Sequence, residues 1–155
     1  MIKINVLIVN NNWKKNIKNP NLYLKRKVKK IEEQISFFRK RNYLTASILL
    51  AGNKEIKDLN KKFRKKNKTT DVLSFPFYER ETLNKLIKKS SDIYLGDIII
   101  NFSKIIRKKD NSNFLLDFDR IWVHGLAHLL GHRHKSNRDY SVMKKIENKI
   151  LKAIN

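Results

Sequence analysis

The segment Phe114–His134, with the sequence FLLDFDRIWVHGLAHLLGHRH, is the most informative part of this chain. Its apolar residues recur at helical spacing up to Leu130, and Gly131 is typical of the position just beyond a helix C-terminus. His124 and His128 are four residues apart, so they project from the same side of a helix, one turn apart. The segment therefore predicts a helix that presents imidazole side chains on one face and ends in a turn.

Three histidines have the spacing of a metal site: His124, His128 and His134. The glycine turn can return His134 to the two helical imidazoles, and three neutral nitrogen ligands suit zinc with a fourth position for water. Water on zinc has a pKa of roughly 7, which favours a hydrolytic site. The alternative is a set of surface or core histidines without a metal, but all four histidines of the chain lie between 124 and 134. His132 is interpreted as a neighbour of the site and not as a ligand.

The residue after the first histidine argues against a zinc peptidase. Such enzymes carry His-Glu-x-x-His, with the glutamate as general base. Gly125 occupies the glutamate position here, so peptide hydrolysis lacks its usual base. The sequence names no other general base.

The rest of the chain mixes strands with amphipathic helices. Strands are predicted at Ile2–Ile8, Thr45–Leu50, Thr70–Pro76 and Tyr94–Ile100. Helices are predicted at Asn21–Arg41, from a cap at Asn53 through Phe63, and from a capping box of Ser136 and Asp139 onward. Arg64–Lys68 is predicted to be a basic loop, and the segment between Pro76 and Tyr94 a polar insertion. These elements predict one α+β domain over residues 1–155, with a mixed sheet of about four strands packed with helices.

Composition narrows the classes of function. The 155 residues contain 36 Lys and Arg against 14 Asp and Glu, a net charge of +22, and no cysteine. A disulfide scaffold, an iron–sulfur cluster and a cysteine nucleophile are therefore excluded. The apolar runs are far shorter than the roughly 20 residues that span a bilayer, so we expect a cytoplasmic protein with no membrane partner. The charge favours a polyanionic partner, although a genome biased towards A and T would also produce part of the lysine excess.

Three blocks together resemble the YbeY endoribonucleases, the bacterial rRNA maturation factors. They are the histidine segment His124–His134, the block from Leu59 through Arg64 to Pro76, and the block Leu95–Ile98. They agree in order and spacing, and the resemblance extends over nearly the whole chain. It implies a compact α+β domain that is similar to zincins around the metal helix. It also implies one zinc ion per chain, held by His124, His128 and His134.

The resemblance further implies a function and two more site residues. Members of the family cut single-stranded RNA, mature the 3′ end of 16S rRNA and act in ribosome quality control. Arg64 matches the functional arginine that faces the metal, whereas the residues alone would make it one more cation in the solvated basic run Lys61–Lys68. Asp97 matches an aspartate linked to contact with a small-subunit ribosomal protein. Arg133 departs from the pattern, which usually has aspartate there; Asp71 or Asp139 would be its candidate replacement in orienting a ligand.

Two other functions stay open at this point. One is a ribosome-assembly factor that binds rRNA without cutting it. The other is a metal hydrolase that acts on a different substrate. If the chain is an endoribonuclease or an rRNA-binding assembly factor, its basic surfaces would guide a phosphate backbone without reading the base sequence. These surfaces are the basic run Lys54–Lys68 and the basic face of the first long helix.

Overall fold

A four-stranded sheet and seven helices make up the computed structural model, which describes residues 1–39, 43–106 and 113–155. The strands are β1 (Ile2–Ile8), β2 (Tyr43–Ala51), β3 (Val72–Pro76) and β4 (Asp92–Asn101). The helices are α1 (Trp13–Asn16), α2 (Pro20–Gln34), α3 (Asn53–Arg64), α4 (Arg80–Lys89), α5 (Phe102–Ile105), α6 (Phe114–Leu129) and α7 (Asn137–Ile154). The predicted α+β class with a mixed sheet is confirmed.

The sheet has the spatial order β1-β2-β4-β3. β1, β2 and β4 are parallel, and β3 runs antiparallel to β4 at the edge. The register aligns Val6 with Ile48, Ile48 with Ile98, and Ile98 with Ser74. Because side chains alternate between the two faces of a strand, these four residues lie on one face of the sheet. That face is the one on which the histidine helix packs.

Helix α6 lies against the sheet at Gly125. A Cβ atom at this position would come within 2.7 Å of Ile98 Cγ2, so any larger residue would require Ile98 or the helix to shift. Position 125 therefore faces the sheet, and a glutamate side chain has no room there. On the opposite face of the sheet, α3 covers a smaller apolar cluster that includes Ile56, Leu73 and Ile99.

Two predicted helix boundaries are wrong. The helix expected over Asn21–Arg41 ends at Gln34, and Ser36–Arg39 forms a 3-10 turn that still buries Phe38 in the core. The apolar residues keep their helical spacing beyond Gln34 because Phe38 is still buried, although the α-helix has ended. Positions 40 and 41 lie outside the described residues. For α3 the capping residue is Gly52 and not Asn53, since the Glu55 carboxylate accepts the Gly52 N–H at 3.0 Å. The cap predicted for α7 is confirmed: Ser136 Oγ accepts the Asp139 N–H at 3.1 Å.

The polar insertion between β3 and β4 is also a correction, because it forms α4. Its Leu83 is buried in the core while the charged residues face outward. Two further short helices, α1 and α5, were not predicted. Among the described residues, no helix is both long and apolar enough to cross a membrane.

Candidate metal centre

The structure brings together the three histidines that the sequence singled out. One nitrogen from each of His124, His128 and His134 lies within 4.8 Å of the other two. His124 and His128 occupy successive turns of α6, and their Nε2 atoms are 3.2 Å apart. Three imidazoles that converge from different directions form the donor set of a zinc-type site.

A glycine turn places the third imidazole. Gly131 has a φ of +83°, which is the left-handed conformation typical of the residue that ends a helix. The turn is closed by two main-chain hydrogen bonds, from the Gly131 N–H to the His128 carbonyl at 2.9 Å and from the His132 N–H to the Ala127 carbonyl at 3.0 Å. The chain thereby reverses direction and returns His134 to the helical pair.

Both helical imidazoles are oriented through their Nδ1 atoms. His124 Nδ1 lies 2.7 Å from the Glu147 carboxylate, which α7 supplies, and Lys144 Nζ lies 3.2 Å from the other oxygen of that carboxylate. His128 Nδ1 lies 2.9 Å from the His132 main-chain carbonyl. Because both acceptors require the proton on Nδ1, the Nε2 lone pairs are left to face the cluster.

Glu147 is the site residue that the sequence interpretation missed. It is buried, and it lies on the same stripe of α7 as the buried residues Met143, Ile150 and Ile154. An acidic side chain on the inward face of an amphipathic helix needs a buried partner. That position on the helical stripe was the available signal, and the histidine ring was its partner.

The electrostatics of the site favour neutral imidazole. Burial, together with the neighbouring His124, His134 and Arg64, lowers the pKa of His128 to about 4, against the opposing effect of the hydrogen bond to the His132 carbonyl. The ring is therefore uncharged near neutral pH, as a ligand must be. The Nε2 lone pairs of His124 and His128 face each other at 3.2 Å, an arrangement that a shared cation relieves. The donor chemistry of the cluster thus fits a metal ion.

Arg64 is placed beside this cluster by the end of α3. It is the last residue of that helix, and Lys65 follows it in the left-handed conformation. The buried Asn60 side chain donates to the Lys68 carbonyl at 2.7 Å and holds the following loop. Arg64 Nη2 donates to the Ser74 carbonyl on β3 at 3.2 Å. The sequence predicted that Arg64 begins a basic loop. In the structure it is instead the last residue of α3 and is anchored next to the site.

Arg64 and three of the histidines share one cavity of about 260 Å³. Its lining includes Arg64, Ser74, His128, His132 and His134. The Ser74 hydroxyl is buried and has no hydrogen-bond partner among the described residues. A polar, cationic pocket thus opens directly onto the histidine cluster.

The two proposed substitutes for the missing aspartate do not contact a histidine. Asp139 caps α7 through Ser136, and Asp71 accepts hydrogen bonds from its neighbours Thr70 and Val72. Arg133 itself forms an ion pair with Glu79. The carboxylate that orients His124 comes from Glu147. His124 therefore does not need an aspartate at position 133 for its orientation.

Two of the singled-out residues lie away from the cluster. Asp97 follows Gly96 on β4 and faces the side of the sheet opposite Ile98 and α6; its carboxylate accepts the Tyr94 hydroxyl at 2.6 Å. His132 is not one of the three clustered histidines, although it lines the same cavity as Arg64, and its Nδ1 is buried without a partner in the described part of the chain. Burial and the nearby Arg80 both lower the pKa of His132.

Comparison with known proteins identifies relatives that match nearly the full length of this chain. The family model described as endoribonuclease YbeY matches residues 7–155. The endoribonuclease YbeY of Pelagibacter ubique is 42% identical to this chain over 99% of it and 97% of its own length. The protein of the same name from Buchnera aphidicola of Acyrthosiphon pisum is 37% identical over 86% of this chain and 80% of its own length.

A solved structure shows the same fold. The solution structure of TM1509 from Thermotoga maritima superimposes with a TM-score of 0.56 and covers 98% of this chain and 90% of its own. The sequence identity of that pair is 22%. The likeness therefore concerns the arrangement of strands and helices.

Proposed function

Because the chain belongs to the YbeY endoribonuclease family, a family of metal-dependent RNA hydrolases, we propose that it is a zinc-dependent endoribonuclease specific for single-stranded RNA. Its proposed roles are maturation of the 3′ end of 16S rRNA and ribosome quality control. The observation that carries the proposal is the convergence of His124, His128 and His134 within 4.8 Å.

Within this proposal, the three histidines hold one zinc ion per chain through their ring nitrogens. Glu147 and the His132 carbonyl keep two of the rings in the orientation and tautomer that binding requires. The three histidines would hold a zinc ion, which would supply a Lewis acid and lower the pKa of water at the site to roughly 7. Gly125 leaves no room for the glutamate that assists zinc peptidases, so α6 offers no base at that position.

Arg64 is the proposed catalytic residue. Its side chain uses one N–H group on the Ser74 carbonyl, which fixes the direction of the guanidinium. The remaining N–H groups can donate to two nonbridging oxygens of a phosphodiester that enters the shared cavity. Because negative charge grows on those oxygens during cleavage, such donors stabilise the transition state more than the bound substrate.

Cationic side chains beside the cluster support an RNA substrate. The cavity that contains His128 is also lined by Arg64, Arg80 and Arg133. A second cavity of about 320 Å³ lies beside His124; its Arg120 and Lys144 are balanced there by Asp71 and Glu147. A single strand that crosses the histidines would meet the guanidinium groups on the His128 side of the cluster.

Asp97 is proposed to bind a small-subunit ribosomal protein. It lies on the face of the sheet opposite α6, so such a contact would leave the histidine cluster open to RNA. The proposed place of action is the cytoplasm, where the rRNA substrate and the small ribosomal subunit are found.

The test compares zinc content and RNA cleavage in purified wild type, His128→Ala and His132→Ala. We expect one zinc per chain and cleavage of a single-stranded oligoribonucleotide by the wild type. His128→Ala should be folded, free of zinc and inactive. His132→Ala removes an imidazole that lies outside the cluster but keeps the main-chain carbonyl, so it should retain one zinc per chain. Full cleavage by zinc-free His128→Ala would overturn the proposal.

A cellular experiment separates cleavage from binding as the physiological act. In cells that lack the gene, His128→Ala should fail to restore mature 16S rRNA 3′ ends while the wild type restores them. Rescue by this variant would assign the chain to the class of non-catalytic assembly factors.

A further inference from the structure

A groove of about 830 Å³ runs beside the edge of the sheet, between β1 and α2. The first residues of β1 line one side of it, and α2 lines the other through Leu22, Lys25, Val28 and Lys29. β1 is an edge strand, because its only strand neighbour among the described residues is β2. None of the residues that line this groove belongs to the histidine cluster or to the two cavities beside it.

Main-chain groups of β1 alternate between its partner strand and the open edge. The Met1 carbonyl accepts the Leu44 N–H at 2.8 Å, and the Val9 N–H donates to the Leu50 carbonyl at 3.0 Å. Odd-numbered residues therefore face β2, and the N–H and C=O groups of even-numbered residues, such as Ile4, point to the outside.

Only the beginning of this edge is satisfied within the chain. In the described residues, the Ile2 N–H donates to Glu32 Oε1 at 2.6 Å, whereas Ile4 and Val6 have no hydrogen-bond partner on their outer side. A row of alternating donors and acceptors at the repeat of a strand is a template for another strand.

The side chains around the groove combine an apolar floor with a cationic rim. Val28 is buried and Ile4 is half-buried, while Lys3, Lys25 and Lys29 are exposed. Lys25 and Lys29 are one turn apart on α2, so they point to the same side of the helix. Glu32, the acidic residue in the lining, is already engaged with the Ile2 N–H.

We propose that this groove binds an extended acidic segment of a partner protein, which adds a strand to β1. Its main chain would pair with Ile4 and Val6, its apolar residues would enter the groove, and its carboxylates would meet the lysines. RNA fits this surface less well, because a sugar–phosphate backbone lacks the alternating amide N–H and C=O groups, repeating about every 6.8 Å, that complete a strand edge. A second copy of the chain is disfavoured, since it would bring like-charged lysine rims together.

The experiment uses the full chain and a fluorescein-labelled eight-residue peptide in which Glu and Val alternate. Binding is measured by fluorescence anisotropy. Lys25→Glu with Lys29→Glu should weaken the affinity about tenfold, because two attractive contacts become repulsive. The control pair Lys85→Glu with Lys88→Glu changes the net charge equally on α4, away from the groove, and should change the affinity by less than about twofold.

A second peptide tests strand addition directly. N-methylation of every second amide removes the donors on one edge of the peptide and leaves its charge unchanged, so binding should be lost. Equal affinity of the methylated peptide, equal weakening by the two double variants, or no binding at millimolar peptide would each overturn the proposal.

Competition experiments decide between occupants. A single-stranded oligoribonucleotide whose affinity falls more with the α2 pair of substitutions than with the α4 pair would assign the groove to RNA. A dimer of the chain that the peptide dissociates would assign it to a second copy. Either result would overturn the proposal of an acidic peptide partner.

Discussion

The three imidazoles of the histidine cluster come from two regions of the chain that support them in different ways. His124 and His128 stand on α6, half-buried, and each has its Nδ1 held by a hydrogen bond. His134 lies in the turn after that helix, is exposed, and makes no side-chain hydrogen bond to another described residue. The helical pair is thus preorganised, whereas the third imidazole depends on the turn and, in the proposed zinc site, on the bound ion.

This difference indicates how binding energy is divided within the site. A ligand that is already oriented loses little conformational entropy when it binds, but a ligand on an exposed turn must be ordered at that moment. We therefore expect the helical histidines to dominate metal affinity, and the turn to be the part of the site that changes most when the metal leaves. The following predictions test that division.

The largest effect should come from the helical ligands. His128→Ala should remove zinc and lower cleavage at least about 10³-fold, because the chemistry that the metal supplies is worth several kcal/mol. His134→Ala should retain weak zinc binding through the helical pair. Zinc affinity and single-turnover cleavage measure both variants. Equal loss of zinc in the two variants would show that the turn contributes as much as the helix.

Arg64→Ala separates metal binding from the chemistry of cleavage. We expect cleavage to fall about 10²- to 10³-fold, as for loss of a donor to a developing anion, while one zinc per chain is retained. Arg64→Lys should restore part of the activity, because an ammonium keeps the charge without the paired geometry. Loss of zinc in Arg64→Ala would instead make the arginine a structural element of the metal site.

Glu147→Gln weakens the support of one helical ligand without removing it. Zinc affinity should fall about 10- to 100-fold, since the glutamine amide can no longer hold the imidazole as a carboxylate does. Glu33→Gln on the exposed side of α2 is the matched control and should bind zinc like the wild type. Competition with a chelator of known affinity measures the difference. An unchanged zinc affinity in Glu147→Gln would show that the Glu147 carboxylate does not contribute to zinc binding.

Removal of the metal should expose the turn more than the helix. Arg133, Lys135 and Arg138 offer trypsin sites around His134, and cleavage there should accelerate several-fold when a chelator is present. Cleavage within α6 should stay slow in both states. Mass spectrometry of the early fragments distinguishes the two regions. Equal protection of the turn with and without metal would contradict its dependence on the ion.

The smallest effect is expected at position 133. Arg133→Asp breaks an exposed ion pair with Glu79, so the free energy of unfolding should change by less than about 1 kcal/mol. Zinc affinity should change less than about threefold, because Glu147 already orients His124. Thermal unfolding and the chelator competition provide both readouts. A large gain in zinc affinity would show that position 133 shares this role.

Much of the fold was predictable because apolar spacing reports burial. The four strands and the three long helices beginning near 20, 53 and 137 follow from it, as does the helix that carries the histidines. The end of α2 was not predictable, since Phe38 keeps the spacing while the backbone changes to a 3-10 turn. α4 was missed because its charged residues outnumber its apolar ones, of which only Leu83 is fully buried.

The site was predictable where the information is local in sequence. Two histidines one helical turn apart and a third after a glycine turn lie within eleven consecutive positions, 124–134. Glu147 and Arg64 reach the cluster from other elements, and their contacts depend on how α7 and α3 pack. The motif resemblance pointed to Arg64, whereas the buried position of Glu147 on α7 became meaningful only with the tertiary structure.

The most direct test of a metal-dependent ribonuclease at the histidine cluster is a zinc titration of the metal-stripped protein, with cleavage of a single-stranded oligoribonucleotide as the readout. We predict no cleavage without metal, a linear rise as zinc is added, and saturation at one zinc per chain. Full cleavage by the stripped protein in excess chelator would contradict the account.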